Sequence, residues 1–504
     1  MKNKISKILV LFSFMSFFTA CDDELDELQP FVEVNPDTFL SENNVTAFQN
    51  AVDGAYGQLW QYYADSANGL QGLGDILSDN VIQAQSGRRS NNAYHDYLFV
   101  PSTAGFIANT WDEAYEAINA SNIVIRNIDN LENGAGKDNI LGQALGIRAW
   151  AHFDLARVYG QVPTQSAGAN STLGIFYSKF EDGDTDDLLA QPARETVGEN
   201  YIEIIGDLER AAELIGASNG EGRLDRNGIY GLLSRVYLYN GEYQKAIDAA
   251  DEVSTELATS EELPGVYTDS NNAGIVIELA VNTTTEANFF NVGVLYSQSS
   301  RGNIISEYVL DFDLTNSINA DDIRLDVLQF DAVNGDNTYN GVKKFLGEEG
   351  QNNGRVDIKV LRAAEVLLNK AEAQFELGFE PDALATLNIL RESRFVPAEN
   401  RDDDPLNDVM ETYTPGTETG AALEAAIQFE RRVELACEGH RFFDIKRRGE
   451  SIERDPDNGD LIDGTGTPPQ IATIPAGNFR FQLPIPINEI NANPVMAEQQ
   501  NPGY

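Results

Sequence analysis

The 504-residue sequence is poor in cysteine, histidine, tryptophan and positive charge. Two cysteines, Cys21 and Cys437, exclude a disulfide framework. The three histidines, His95, His152 and His440, lie far apart. No HExxH motif or Cys/His cluster accompanies them, which argues against a dedicated transition-metal site. Lys and Arg total 35 against 80 Asp and Glu, a net charge of −45 that repels nucleic acid and anionic lipid. Beyond the N-terminus no apolar run reaches the length that spans a bilayer. With 42% hydrophobic and 23% charged residues, the chain has the composition of a globular protein with a sizeable core.

The common catalytic signatures are missing too. There is no GxSxG elbow. Gly134-Ala135-Gly136-Lys137 fails as a phosphate loop, because Asp138 stands where Ser or Thr is needed and Leu131 where the first Gly belongs. Gly72-Leu73-Gly74 does not continue into a dinucleotide fingerprint. Asp182, Asp184 and Asp186 alternate like a calcium loop, but Asp187 replaces its glycine and Ala193 its final glutamate, so the segment reads as a solvated loop. Among 80 carboxylates a pair suited to glycoside hydrolysis carries almost no information. Glu438, His440 and Asp444 form the most catalytic-looking cluster, yet one histidine without a nucleophile makes a poor active site. Buried polar contacts at a helix end beside Arg441 are the preferred reading. The chain is read as a non-enzyme without cofactor or metal.

What is present begins with an address. Lys2, Lys4 and Lys7 precede the apolar run Ile8–Phe18, which is the length of a signal peptide and too short to cross a membrane. Thr19-Ala20-Cys21 then resembles a bacterial lipobox, with Phe18 where leucine is usual. That resemblance implies cleavage before Cys21 and acylation of its thiol. Residues 1–20 are thus a signal peptide, 21–40 a lipidated acidic tether, and 41–504 a single domain. The tether opens with Asp22-Asp23-Glu24-Leu25-Asp26-Glu27, similar to the export signal of surface lipoproteins in Bacteroidota-type bacteria.

The body reads as one large α-rich domain. Ile229, Leu232, Leu233, Val236 and Tyr237 share one helical face, and the pattern stops at Asn240-Gly241. Tyr243, Ala246, Ile247, Ala250 and Val253 begin a second helix. Val360–Leu377, Gly378 and Asp382–Ser393, opened by Pro381, repeat the plan, and aligning the two glycines sets Ala246 on Ala383. Ala144–Tyr159 followed by Gly160 looks like the first helix of another pair. Such units resemble tetratricopeptide repeats. Thr164–Ala190 and Pro397–Gly420 read as loops. Gly274–Val281 and Phe289–Ser297 suggest a short β-hairpin.

Four motifs carry a wider resemblance. They are Arg148-Ala149-Trp150-Ala151-His152-Phe153-Asp154-Leu155-Ala156-Arg157-Val158-Tyr159-Gly160; Leu361–Leu368 with Ala371-Glu372-Ala373; Glu430–Arg447; and the ending Leu483-Pro484-Ile485-Pro486 through Gln500-Asn501-Pro502-Gly503-Tyr504. In this order they resemble the SusD/RagB family of surface nutrient-binding lipoproteins. The resemblance implies a mostly α, SusD-like fold with tetratricopeptide-like hairpins, long loops and small β-elements. It divides the domain into an N-terminal part near 41–220 and a C-terminal part near 330–504. It implies a SusC-like, TonB-dependent barrel as partner in the outer membrane, capped from the exterior by a lipid-anchored protein. It implies capture of an oligosaccharide or polysaccharide, or of a peptide as in the RagB branch. Arg148, Asp154, Arg441 and Asp444 would then be fold-holding ion pairs.

A sugar site needs aromatic platforms and convergent polar groups. Trp150 and Trp111 have helical spacing and read as core, whereas Trp60 ends a helix and enters a loop. In family members the ligand is held largely by loops after the first helix and in mid-chain, here Gly74–Phe99 and Phe289–Arg301. The candidate ligand residues are therefore Trp60, Asp79, Asn80, Arg88, Arg89, Tyr94, Tyr97, Phe289, Phe290 and Tyr296, with Asn291 and Gln298 beside them. The acidity favours a neutral glycan.

Overall fold

The computed structural model describes residues 39–64, 69–85, 89, 91–179, 191–281, 292–296, 298–300, 303–348, 354–401, 409 and 411–504. The signal peptide, Cys21, the tether as far as residue 38 and the Asp182–Asp187 loop lie outside the described residues.

The N-terminal half is built on long helices: α1 (Val45–Ala64), the short α2 (Leu70–Ile76), α3 (Phe106–Asn127), α4 (Ala135–Tyr159) and α5 (Val197–Leu214). Helix α1 buries Phe48, Val52, Ala55, Leu59 and Tyr62 along one stripe, against α3 and α4. Helix α4 is buried on almost every face, including Trp150 and His152, because α1, α3 and α5 surround it. Its polar side chains are therefore paired inside. Arg148 meets Asp207 on α5 through two bonds of 2.7 and 2.9 Å. Asp154 accepts from Tyr62 at 3.0 Å, Tyr63 at 2.8 Å and Arg157 at 2.8 Å. Trp150 donates to the Tyr63 hydroxyl at 2.9 Å. Trp111 and Trp150 are core, as their spacing predicts.

Two helical hairpins follow. Helices α6 (Arg226–Asn240) and α7 (Tyr243–Asp251) turn at Gly241, with φ +74°. Helices α8 (Ala363–Glu376) and α9 (Glu380–Arg394) turn at Gly378, with φ +80°. Only glycine adopts that backbone without strain. Both turns close alike, Glu242 N–H on Tyr237 O and Phe379 N–H on Gln374 O, each at 2.9 Å. Ala246 and Ala383 are fully buried, so their small side chains let the paired helices approach. The partner of α4 is α5, reached through the long segment 160–196 rather than a tight turn.

Arg235 of the first hairpin grips Glu365 of the second at 2.7 and 2.6 Å, both side chains almost wholly buried. Helices α10 (Ala421–Glu434) and α11 (Arg441–Arg447) pack beside them and continue the pairing. Arg431 meets Asp444 at 2.8 Å and Arg447 meets Glu372 at 2.6 Å. One hydrophobic cluster runs from Leu40 to Met496 through all of these helices but α9, whose Ala383, Leu387 and Leu390 join a second cluster with Leu423 and Ile427 of α10. The C-terminal tail closes on α4: Asn501 Nδ2 donates to Tyr159 O at 2.7 Å and to Leu483 O at 2.6 Å.

The strands are short and paired two by two among the described residues. β1 (Val81–Gln83) pairs with β3 (Tyr308–Leu310), β2 (Ile275–Leu279) with β6 (Ile358–Arg362), and β4 (Gln329–Asn334) with β5 (Asn337–Val342), all antiparallel. The expected hairpin between 274–281 and 289–297 does not form. β2 finds its partner in β6, directly before α8, and Gly293–Tyr296 is a helical turn. The apolar character that suggested a strand there reflects burial of Val294, Leu295 and Tyr296.

Candidate functional site

Asp53, Gly57 and Trp60 fall at i, i+4 and i+7 on α1, so they share one face, with Gln61 beside them. That face borders a cleft of about 430 Å³. Its opposite wall is the Glu221-Gly222-Arg223 turn ahead of α6, together with Leu279 and Ala280 at the end of β2. Trp60 is half-buried and packs on the core through part of its ring. Its indole Nε1 has no hydrogen-bond partner among the described residues. Gly57 leaves the neighbouring space open, since a Cβ added there would meet nothing within 4 Å.

The cleft's polar groups are preset. Arg223 donates to Asp53 through two bonds of 2.7 and 2.8 Å, and Gln49 adds a third at 2.9 Å. Partial burial pushes the Asp53 carboxyl up, but the hydrogen bonds and the guanidinium charge outweigh it and hold it below its ordinary value. An ionised, neutralised carboxylate accepts hydroxyls and is a poor proton donor. Beneath it, Tyr56 OH accepts from Leu224 N–H at 2.8 Å and fixes the turn on the helix. Glu221 and Gln61 are exposed at the rim. An aromatic ring with open space beside it, flanked by fixed acceptors and donors, suits a ligand with one apolar face and several hydroxyls.

Of the candidate ligand residues that are described, Trp60 alone lies on this cleft. Asp79 is 9% exposed, and Arg441 and Arg432 engage it. Burial alone would raise its pKa, but those charges bring it down to about 2. Asn80 is fully buried, donating to Asp75 and accepting from Arg432, each at 3.0 Å. Tyr97 is 1% exposed; its hydroxyl donates to Leu77 O and its ring lies 5.0 Å from the Arg454 guanidinium. Tyr94 is buried, accepts from Ile107 N–H at 3.2 Å and stacks on Phe99. Tyr296 is fully buried and stacks on Phe345. Arg89 donates to the buried Gln83 at 2.9 Å. Arg88, Phe289, Phe290 and Asn291 lie outside the described residues, as does the Gln298 side chain.

These placements correct the Gly74–Phe99 expectation. The segment has a loop's composition, but its described residues at 74–84 and 91–99 form the seam between the two halves of the chain. Arg454 donates to Ser78 O, His95 O and Ile76 O at 2.8, 2.7 and 3.0 Å. Asp75 accepts the backbone N–H groups of Cys437 and Gly439, both at 2.9 Å. Buried side chains already saturated by distant partners cannot offer a sugar a platform. The Glu438–Asp444 cluster is structural, as its surroundings predict. Glu438 binds Arg362 and Lys344, Asp444 binds Arg431 and Arg447, and His440 sits 3.6 Å from Glu365. Burial brings His440 down to about 4 despite that carboxylate, so it is neutral at neutral pH. Asp53, Gly57 and Arg223 escaped the sequence reading. The helical spacing of Asp53, Gly57 and Trp60 was the one signal available, whereas Arg223 joins across 170 residues.

Two family models match the chain. One, described as the SusD family, covers residues 329–504. The other, described as starch-binding associating with the outer membrane, covers residues 30–238. SusD-like protein P2 of Formosa agariphila is 26% identical, with 100% of each chain covered. A solved SusD superfamily protein from Bacteroides thetaiotaomicron is 26% identical at a TM-score of 0.74, covering 91% of this chain and 100% of that one. A laminarin-binding SusD-like protein shares the fold at 19% identity and a TM-score of 0.66, covering 92% and 100%. No described helix is long and apolar enough to cross a membrane.

Proposed function

The chain belongs to the SusD/RagB family, and from that premise we propose that it captures oligosaccharides at the exterior of an outer membrane and hands them to a SusC-like, TonB-dependent barrel. The observation that carries this reading is the Trp60 cleft, with its half-buried indole, open space at Gly57 and fixed Asp53–Arg223 pair. The lipobox at Cys21 and the acidic tether support a lipid anchor on the outer face.

A neutral glycan fits best. Arg223 is committed to Asp53, and Glu221 adds a negative charge at the rim, so the cleft opposes a uronate or sulfate. Binding needs no chemistry from these groups. Asp53 is held ionised, the reverse of the raised carboxyl that a glycosidase acid requires.

Affinity electrophoresis of residues 22–504 against neutral and acidic polysaccharides, with peptide titrations alongside, tests the reading. Retardation by a neutral polysaccharide is expected. Binding of peptides with no retardation by any polysaccharide would move the chain to the peptide-capturing branch.

A further inference from the structure

A second cleft, of about 300 Å³, lies in the C-terminal half and shares no residue with the first. Three partly exposed aromatic rings border it: Phe395 at the end of α9, Tyr413, and Phe429 on α10. Phe395 and Tyr413 stand 6.1 Å apart at 55°. Tyr413 is anchored, its hydroxyl donating to Asn388 Oδ1 at 2.7 Å. Asn388 also holds Gly416 through both backbone groups, at 2.9 and 3.2 Å, so the 413–416 segment is fastened to α9.

The charged floor is fully matched except at two atoms. Arg324 pairs with Asp322 and Glu430, and Arg391 with Glu430 and Glu418. Arg324 Nη1, on a side chain 6% exposed, lies 3.5 Å from Glu434 but makes no hydrogen bond. Glu418 Oε2 is buried and accepts no hydrogen bond among the described residues. One donor, held only by that ion pair, and one acceptor thus lack a hydrogen bond among the described residues, beside three aromatic rings. Burying such groups without partners is costly, and a ligand that offers both a hydroxyl donor and a hydroxyl acceptor relieves it. The cleft sets four carboxylates, Asp321, Asp322, Glu418 and Glu430, against three arginines, Arg324, Arg391 and Arg394, each already paired with a carboxylate, so an uncharged ligand fits it better than an anion.

We propose that the cleft between Phe395, Tyr413 and Phe429 is a second binding site for neutral oligosaccharide, separate from the Trp60 cleft. Two sites on one chain let it hold a long glycan at two points, raising avidity without tighter contacts at either.

Isothermal titration of residues 22–504 with laminarihexaose, maltohexaose and cellohexaose tests this. At least one hexaose should fill two sites on the native chain. Tyr413→Ala should weaken one of them about tenfold or more, while Tyr413→Phe, which keeps the ring, should retain both. Trp60→Ala should remove the other site alone. Loss at Tyr413→Ala with no effect of Trp60→Ala would leave this site standing and sink the first. A Tyr413→Ala chain with native circular dichroism and unchanged stoichiometry would overturn the proposal. So would binding of none of the three hexaoses, or of peptides only.

Discussion

Arg441 grips Asp79 through two parallel bonds, Nε to Oδ1 at 2.7 Å and Nη2 to Oδ2 at 2.8 Å, across 362 residues of chain. This pair fastens the end of α2 to the start of α11 and, with Arg432 and Arg454, closes the seam between the N-terminal and C-terminal halves. Removing one partner leaves a charge in a largely buried place. Asp79→Ala should therefore destabilise the fold by on the order of 3 kcal/mol in denaturant unfolding. Glycan affinity, measured where the variant remains folded, should be unchanged.

Gly74 and Gly54 should respond oppositely to alanine. A Cβ at Gly74 would lie 2.1 Å from the backbone oxygen of Gly439, and neither backbone can retreat. Gly74→Ala should lower the melting temperature sharply. Gly54 on α1 has nothing within 4 Å, so Gly54→Ala should stabilise by about 0.5–1 kcal/mol through helix propensity. Paired thermal melts check both.

Stability should be nearly level from about pH 7 to 4.5 and then fall steeply. His95 and His440, brought by burial to about 4, and His152, which burial holds well below its ordinary value, stay neutral when folded, so they lose stability as pH falls below their ordinary 6.5. Asp75 and Asp311, raised by burial to about 6, oppose this, as do Glu278, Asp357, Asp225 and Glu376, which burial also raises: their folded forms take up protons first, adding stability as pH falls toward their ordinary values. Asp79 and Glu365, together with Asp444, Glu434, Glu372 and Glu438, which burial would raise but arginine charges likewise hold below their ordinary values, set the acid limb. Arginine charges overcome the burial of Asp79 and Glu365 and hold both at about 2, so their contribution is complete above 3.8 and 4.5 and disappears as pH falls toward 2. Each of these two contributes on the order of 2–3 kcal/mol. Melting curves across this range check the shape, and a maximum below pH 4 would contradict it.

Gly57 separates binding from folding. Gly57→Leu places a side chain in the open space beside Trp60, in a helix that tolerates it. The variant should melt no lower than the native chain, yet lose retardation by the polysaccharide that the native chain binds.

The helical scaffold was legible because its signals are local. Gly241 and Gly378 announce their turns, and the stripes of α6 and α8 announce their buried faces. Motif order identified the family. The ligand surface was not legible for the opposite reason. Asp79, Asn80 and Tyr97 have a sugar site's chemistry and a loop's neighbours, but Arg441, Arg432 and Arg454, more than 350 residues away, draw them into the interior. Whether such a residue is free or satisfied depends on contacts that no local window contains. Trp60 reads from sequence as an exposed ring at a helix end; it lies within α1, four residues before the helix ends, half-buried on the cleft.

The most direct test of glycan capture at the α1 cleft is affinity electrophoresis of Trp60→Ala beside the native chain, in gels containing the polysaccharide that retards the native protein most. The account predicts that the variant migrates as it does without polysaccharide, with an unchanged circular dichroism spectrum. Native retardation by a correctly folded Trp60→Ala chain would contradict it and place the ligand elsewhere on the molecule.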